Sequence, residues 1–166
     1  MKISTVLVDD DADSRLVLHN YISAHHPDIL VAGEAATVTE AKELLGKLTP
    51  DLLLLDISLP DGNAFDLLGQ LQGLQADIIF VTAFNNFAIR AFRMAAIDYL
   101  LKPIAFAELE EALAKVKARQ QDRYFVNHWK TWLDNAAQPA VENRKLAIAM
   151  ADGFIFVTVR DIIRLE

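Results

Sequence analysis

The amino-acid sequence predicts an α/β fold: a five-stranded parallel sheet with helices on both faces, then a C-terminal helical extension and a short β-hairpin. Two patterns carry this. Short runs of Val, Ile and Leu alternate with longer amphipathic segments, and the runs are apolar throughout, as strands covered on both faces are. The intervening segments repeat apolar residues at spacings of three and four, the period of a helix with one buried face.

The first predicted strand is Ile3 to Val8, followed by the helical pattern "ADSRLVLHNYISAHH". Ile29 to Ala35 is the second strand, and "VTEAKELLGKL" the second helix, opened by Thr37 or Thr39 with Glu40 close behind as in a capping box. Leu52 to Leu55, Ile78 to Val81 and Ile97 to Leu101 complete the strands, with helices "AFDLLGQLQGL", "NNFAIRAFRMA" and "FAELEEALAKVKARQ" after them. Past Gln120 the helical pattern continues, with Phe125, Trp129 and Trp132 or Leu133 on one face, until Pro139 breaks it in a linker. From Arg144, "KLAIAMADGFIFVTV" reads as two strands joined at Asp152-Gly153, a strong hairpin signal. The expected division is 1–120, 121–143 and 144–166. A lone hairpin is marginal in water, so the last piece is expected to pack on something or belong to a larger unit.

The chain has 166 residues, 53% of them hydrophobic and 23% charged, an ordinary globular composition. Its net charge of -7 argues against a general polyanion-binding surface, since phosphate contacts need clustered Lys and Arg. Without cysteine there is no disulfide, thiol catalysis or thiolate metal site, so any metal must use oxygen or imidazole. No stretch has the length of a membrane span, and "MKISTVLVDD" lacks a signal peptide's core. A cytoplasmic protein without a membrane partner is expected.

"VLVDDDADSR" crowds four carboxylates into five positions after the first strand. Two like charges 4 Å apart repel by about 4 kcal/mol at an effective dielectric near 20, against a whole-domain stability of about 5 to 15 kcal/mol. A solvated acidic turn with Asp13 capping the next helix is one reading; the other strand ends favour a second. In open α/β sheets ligands bind at the carboxyl ends of the strands. Strand one ends in Asp9, Asp10 and Asp11, strand three in Asp56, strand four in Thr82 and strand five in Lys102. Carboxylates from two strands, a hydroxyl and an ammonium in one crevice suit a hard divalent cation beside a phosphoryl group.

In that order of residues the chain resembles the receiver domain of two-component response regulators, from about Lys2 to Gln120. The resemblance implies a flavodoxin-like receiver fold, with Asp56 as the phosphorylated residue. It implies a Mg²⁺ site of Asp9, Asp10, Asp56 and the backbone carbonyl of Ser58, with Asp11 facing outward and Asp13 starting the helix. Thr82 matches the hydroxyl that meets the phosphoryl group, Tyr99 the aromatic switch, Lys102 the bridging ammonium and Pro103 a cis-proline. "TAFNNFAIRAFRMAAIDYLLKPI" resembles receivers of the LytTR class of transcription regulators, and "KLAIAMADGFIFVTVRDIIRLE" the opening strands of the LytTR DNA-binding domain, making 144–166 a fragment of it. The resemblance further implies a sensor histidine kinase as phosphodonor and a homodimer formed on phosphorylation through the fourth helix, fifth strand and fifth helix. DNA would be bound only through a complete LytTR domain. Such a protein is a switch rather than an enzyme, with slow self-dephosphorylation at most.

Two other classes compete. "VLVDDDAD" also satisfies the opening of haloacid-dehalogenase-type phosphatases, with Asp9 as nucleophile and Asp11 as acid, although "LLLLDISLP" and Thr82 then go unexplained. A stand-alone receiver acting as a phosphate sink is the third. Against the receiver pattern, Ala64 stands where the family commonly has Gly, and Gly62 is expected to take over the unusual backbone angle. Ser58 and Phe84 flank the phosphoryl position, where a ring would obstruct a hydrolytic water. His25 and His26 lack the spacing of a zinc site, and His19 and His128 are read as helix-surface residues with no acid spaced to orient them. Phe87, Ile89, Ala91, Phe92 and Met94 read first as simple core, while their number on one short helix leaves some apolar surface for a partner.

Overall fold

The computed structural model describes residues 2–71, 73–136, 145–150 and 153–158, with side chains described through Arg123. Five parallel strands form the main sheet: β1 (Ile3–Val8), β2 (Ile29–Ala35), β3 (Leu52–Leu55), β6 (Asp77–Thr82) and β7 (Asp98–Leu101), in the spatial order β2-β1-β3-β6-β7. Between β3 and β6 lie the two-residue strands β4 (Ser58–Leu59) and β5 (Gly62–Asn63), paired antiparallel, and helix α3 (Ala64–Gln70). The other helices are α1 (Ala12–His25), α2 (Val38–Leu45), α4 (Ala88–Arg93) and α5 (Phe106–Ala136). Strands β8 (Lys145–Met150) and β9 (Gly153–Thr158) form an antiparallel pair. Compact units span Met1–Arg119 and Gln120–Glu166.

Each strand alternates its side chains between two cores. Leu7, Leu52, Leu54, Ile79, Val81 and Leu100 pack with Leu18 and Ile22 of α1 and Leu109, Leu113 and Val116 of α5. Val6, Val8, Leu53, Leu55 and Phe80 face the opposite way, onto Ala41 of α2, Phe65 and Leu67 of α3 and Ala91 of α4. Both faces being covered is why "LLLL" reads as one uninterrupted run.

Strand positions agree with expectation, while several local features differ. Asp11, not Asp13, caps α1: its side chain accepts from the Asp13 amide, and Asp13 lies in the first turn. Of the two threonines, Thr37 caps α2 by accepting from the Glu40 amide, while the Glu40 carboxylate accepts in return from the Ala36 amide. Helix α3 stops at Gln70, before the end of the predicted "AFDLLGQLQGL" segment. Helix α4 has only six residues, opens at Phe87 without a side-chain cap, and is followed by Ala95 in the left-handed region (φ 56°). Ala91 is buried there, whereas Ile89 (72% exposed) and Phe92 (82%) are not. Gly62 has no positive φ; a Cβ there would stand 3.2 Å from Val38 Cγ2, a tight contact that the valine would have to yield to. His19 does have an orienting acid: Nδ1 lies 2.7 Å from Glu34 Oε1, supplied by β2.

The helical pattern past Gln120 is realised in α5, which continues to Ala136, and the two C-terminal runs pair as a hairpin, but Gly153, expected in the joining turn, is the first residue of β9, opposite Met150. Asp152, Pro139 with its linker, and the side chains of Phe125, His128, Trp129 and Trp132 fall outside the described residues.

Candidate functional site

The sheet order reverses at β1: the chain first adds β2 on one side and then crosses to β3 on the other, and a crevice opens between the carboxyl ends of β1 and β3. Register does the rest. Val8 pairs with Leu55, so the next residues, Asp9 and Asp56, emerge side by side. Their amides stay in the ladder, Asp9 N–H donating to the Ala35 carbonyl (3.0 Å) and Asp56 N–H to that of Val8 (2.7 Å), which holds both backbones rigid while the carboxylates project beyond the sheet. Thr82 pairs with Leu101, and the Lys102 amide donates to the Thr82 carbonyl (2.8 Å), fixing the lysine beside the end of β6. The Lys102–Pro103 peptide is cis, as the resemblance implied.

Asp9, Asp10 and Asp56 each bring one carboxylate oxygen within 4.8 Å of the others. Asp9 and Asp56 are buried, while Asp10 is exposed and opens the cluster to solvent. The Lys102 ammonium lies 2.7 Å from both Asp9 Oδ2 and Asp56 Oδ2, donating a hydrogen bond to the latter. Its contact with Asp9 Oδ2 is an ion pair outside hydrogen-bond geometry, which leaves that buried oxygen with unspent acceptor capacity. Burial is the larger influence on Asp9 and pushes its carboxyl above the ordinary aspartate range, against the Lys102 ammonium and the Asp11 amide. Burial also opposes the charge of Lys102, but the hydrogen bond to Asp56 and the ion-pair contact with Asp9 outweigh it and raise the ammonium's pKa. Lys102 therefore stays charged.

One cation for three carboxylates leaves net negative charge. A tight set of carboxylate oxygens, one of them buried and lacking a hydrogen bond, fits a hard divalent cation; without thiolate or imidazole it suits a softer ion poorly.

The remaining predicted residues surround this cluster. Ser58, exposed, donates its amide to Asp56 Oδ1 (3.2 Å). Thr82 is fully buried, and its hydroxyl accepts from the Phe84 amide at 3.5 Å. Tyr99 stands apart from the acids: its hydroxyl donates to the Phe84 carbonyl, and burial followed by the charge of Asp56 raises its pKa. Sequence reasoning missed Arg15, whose guanidinium donates to the Asp9 carbonyl and pairs with Glu34 (3.3 Å). It also missed Asp61, whose carboxylate accepts from α2. Arg15 lies four residues beyond the cap of α1, on the helical face turned to the site; Asp61 had no sequence signal, since its partners are 22 and 23 residues away.

A parallel sheet with an acidic, lysine-bridged crevice at its switch point defines a class of phosphoryl-responsive α/β domains. The chain belongs to the response regulator receiver domain family, whose profile matches residues 5–114. It is 31% identical over 163 residues to the sensory transduction protein LytT of Bacillus cereus, covering 97% of this chain and 64% of that protein. It is 38% identical over 116 residues to the transcriptional regulatory protein BtsR of Escherichia coli, covering 69% and 48%. The receiver domain of AraT from Geobacillus stearothermophilus superposes with a TM-score of 0.68 at 29% identity, covering 75% of this chain and 99% of that one. The chain thus spans about two thirds or less of these curated relatives' length. The family is that of receivers in two-component systems, and the haloacid-dehalogenase alternative is set aside. Among the described residues no helix is long and apolar enough to cross a membrane.

Proposed function

We propose that Asp56 is the phospho-accepting nucleophile of a Mg²⁺-dependent switch, through which a histidine kinase controls a transcription-regulating output. The convergence of Asp9, Asp10, Asp56 and Lys102 carries the reading. A carboxylate oxygen of Asp56 forms the new bond to phosphorus, and the bond to the donor's imidazole nitrogen, or to acetate in acetyl phosphate, breaks with its electron pair leaving on the donor; the product is an acyl phosphate. Asp9, Asp10, Asp56 and the Ser58 carbonyl would hold Mg²⁺. When bound, the ion supplies charge that offsets the phosphoryl oxygens. Lys102 supplies a further fixed positive charge, and Thr82 a hydroxyl that must turn from the Phe84 amide to reach a phosphoryl oxygen.

That movement gives the phosphorylated state an interaction the free state lacks, as a two-state switch requires. Tyr99, bonded to the Phe84 carbonyl, sits on the strand that would respond. Exposed Ile89, Phe92, Leu101 and Phe106 support dimerisation through α4, β7 and α5. The half-exposed Phe84 ring supports slow self-dephosphorylation rather than enzymatic turnover. Residues 1–120 would be the receiver, 121–143 a helical connection with linker, and 144–166 the beginning of a LytTR-type DNA-binding domain. Alignment with LytT over 97% of the chain favours that last assignment. A phosphohistidine donor places the protein in the cytoplasm.

The test is incubation with acetyl phosphate and Mg²⁺, read by intact mass and elution volume. One phosphoryl group per chain with earlier elution is expected, both lost in Asp56→Ala and without Mg²⁺. Labelling that survives Asp56→Ala sinks the assignment, and labelling without change in elution favours the phosphate sink.

A further inference from the structure

We propose that Asp61 is a positioning residue for the metal site, pinning the turn that carries Ser58 to the first turn of α2 and coupling metal binding to that helix. The inference rests on the proposed metal set above, of which the Ser58 carbonyl is the member supplied by a loop.

The turn from Ile57 to Ala64 is a small stiff unit. Ser58 pairs with Asn63 and Leu59 with Gly62, and the Ala64 amide donates to the Ile57 carbonyl (2.9 Å). At its base the Ser58 amide bonds Asp56 Oδ1. At its tip both oxygens of Asp61 are engaged by α2: Oδ1 accepts from the Val38 amide (2.6 Å), and Oδ2 from the Thr39 amide (2.9 Å) and hydroxyl (2.7 Å). These bonds, led by that from the Thr39 hydroxyl, hold the Asp61 carboxyl below the ordinary aspartate range. Gly62 lies close enough to Val38 that a methyl group would crowd it.

Helix α2 already has the Thr37 cap and the reciprocal Glu40 bond. Its amides at Val38 and Thr39 are first-turn donors that water could satisfy. A carboxylate reaching them from a turn beside the site therefore restrains the turn. Losing it frees the tip, and with it the Ser58 carbonyl, whose ordering must then come out of the metal's binding energy. Linkage is reciprocal, so the metal must tighten the α2 contact by the same factor.

Mg²⁺ titrations of the whole chain, followed by amide chemical shifts, test this together with hydrogen exchange at Val38 and Thr39. In the wild type Mg²⁺ should slow exchange at both amides. Asp61→Ala should raise the half-saturating Mg²⁺ concentration about threefold to tenfold and abolish the metal-dependent protection. Asp61→Asn retains one acceptor oxygen and should recover part of both effects. Should Asp61→Ala not fold, Thr39→Val, which removes the hydroxyl donor alone, should shift the titration in the same direction by less. A wild type that binds no Mg²⁺ overturns the metal reading and this coupling with it. A wild type that binds while Asp61→Ala titrates identically to it, or metal-dependent protection that persists in full in Asp61→Ala, overturns only the coupling.

Discussion

The two edges of the main sheet carry acids in opposite arrangements. At the carboxyl edge Asp9, Asp10 and Asp56 converge on one lysine. At the amino edge Asp28, Asp51, Asp77 and Asp98 each stand at the start of a different strand, and each has its own partner. Lys117 pairs with Asp28 (2.8 Å), Arg119 with Asp77 (3.4 Å) and Lys115 with Asp98 (2.6 Å), all from α5, while the Ser4 amide donates to Asp51 (2.8 Å). Distributed one-to-one pairs anchor α5 against the sheet and leave little field. Crowded acids sharing one cation leave a potential that only another cation can relieve. The same residue type therefore serves stability at one edge and ligand binding at the other.

Removing the shared cation should have the largest effect. Lys102→Met is expected to cost the metal-free fold about 2 to 3 kcal/mol, because buried Asp9 and Asp56 lose the ammonium that bridges them, and Mg²⁺ should recover part of it. Chemical denaturation with and without Mg²⁺ measures both; a cost no greater than that of Lys117→Met would make the edges equivalent. Asp77→Asn is next, at about 1 to 2 kcal/mol, since the buried carboxylate's ion pair with Arg119 is lost. Its loss should be the same with and without Mg²⁺.

Asp10→Ala should act in the other direction. Asp10 is exposed and none of the ion pairs of the described residues includes it, so its removal relieves repulsion and stabilises the metal-free fold by up to about 1 kcal/mol. Thermal melts should show Mg²⁺ raising the wild-type melting temperature and scarcely moving that of the variant.

Lys117→Met should be smallest, below about 1 kcal/mol for a half-exposed pair. Its pH dependence is diagnostic. The hydrogen bond from Lys117 holds Asp28 below the ordinary aspartate value. The pair's stabilisation is therefore present in full above that ordinary value and is lost as pH falls through the lower value of the folded state. Melts from pH 7 downward should show wild type and variant converging only in that acidic window. Convergence near neutrality would contradict the assignment.

The strands and the residues at their carboxyl ends were legible because burial on both faces leaves uninterrupted apolar runs and strand ends are where such runs stop. Asp9, Asp56, Thr82 and Lys102 could be placed on one edge for that reason alone. Helix caps were less legible: "DDDAD" offers several carboxylates able to cap, and only the backbone path selects Asp11. The brevity of α4 was hidden too, since "NNFAIRAFRMA" has helical spacing throughout while Ala95 turns left-handed.

By itself the sequence determined the α/β alternation and the identity of the charged groups at the carboxyl ends of the strands, because periodicity and strand-end chemistry are local properties of the chain; the order of the strands, which opens the crevice between β1 and β3, was not among them. Only tertiary structure decided that Lys102 bridges Asp9 and Asp56, that Asp61 holds α2, and that α5 supplies a separate cation to Asp28, Asp77 and Asp98. Those bonds join residues distant in the chain. Their partners are chosen by register and by the packing of helices on the sheet, and neither is written in local spacing.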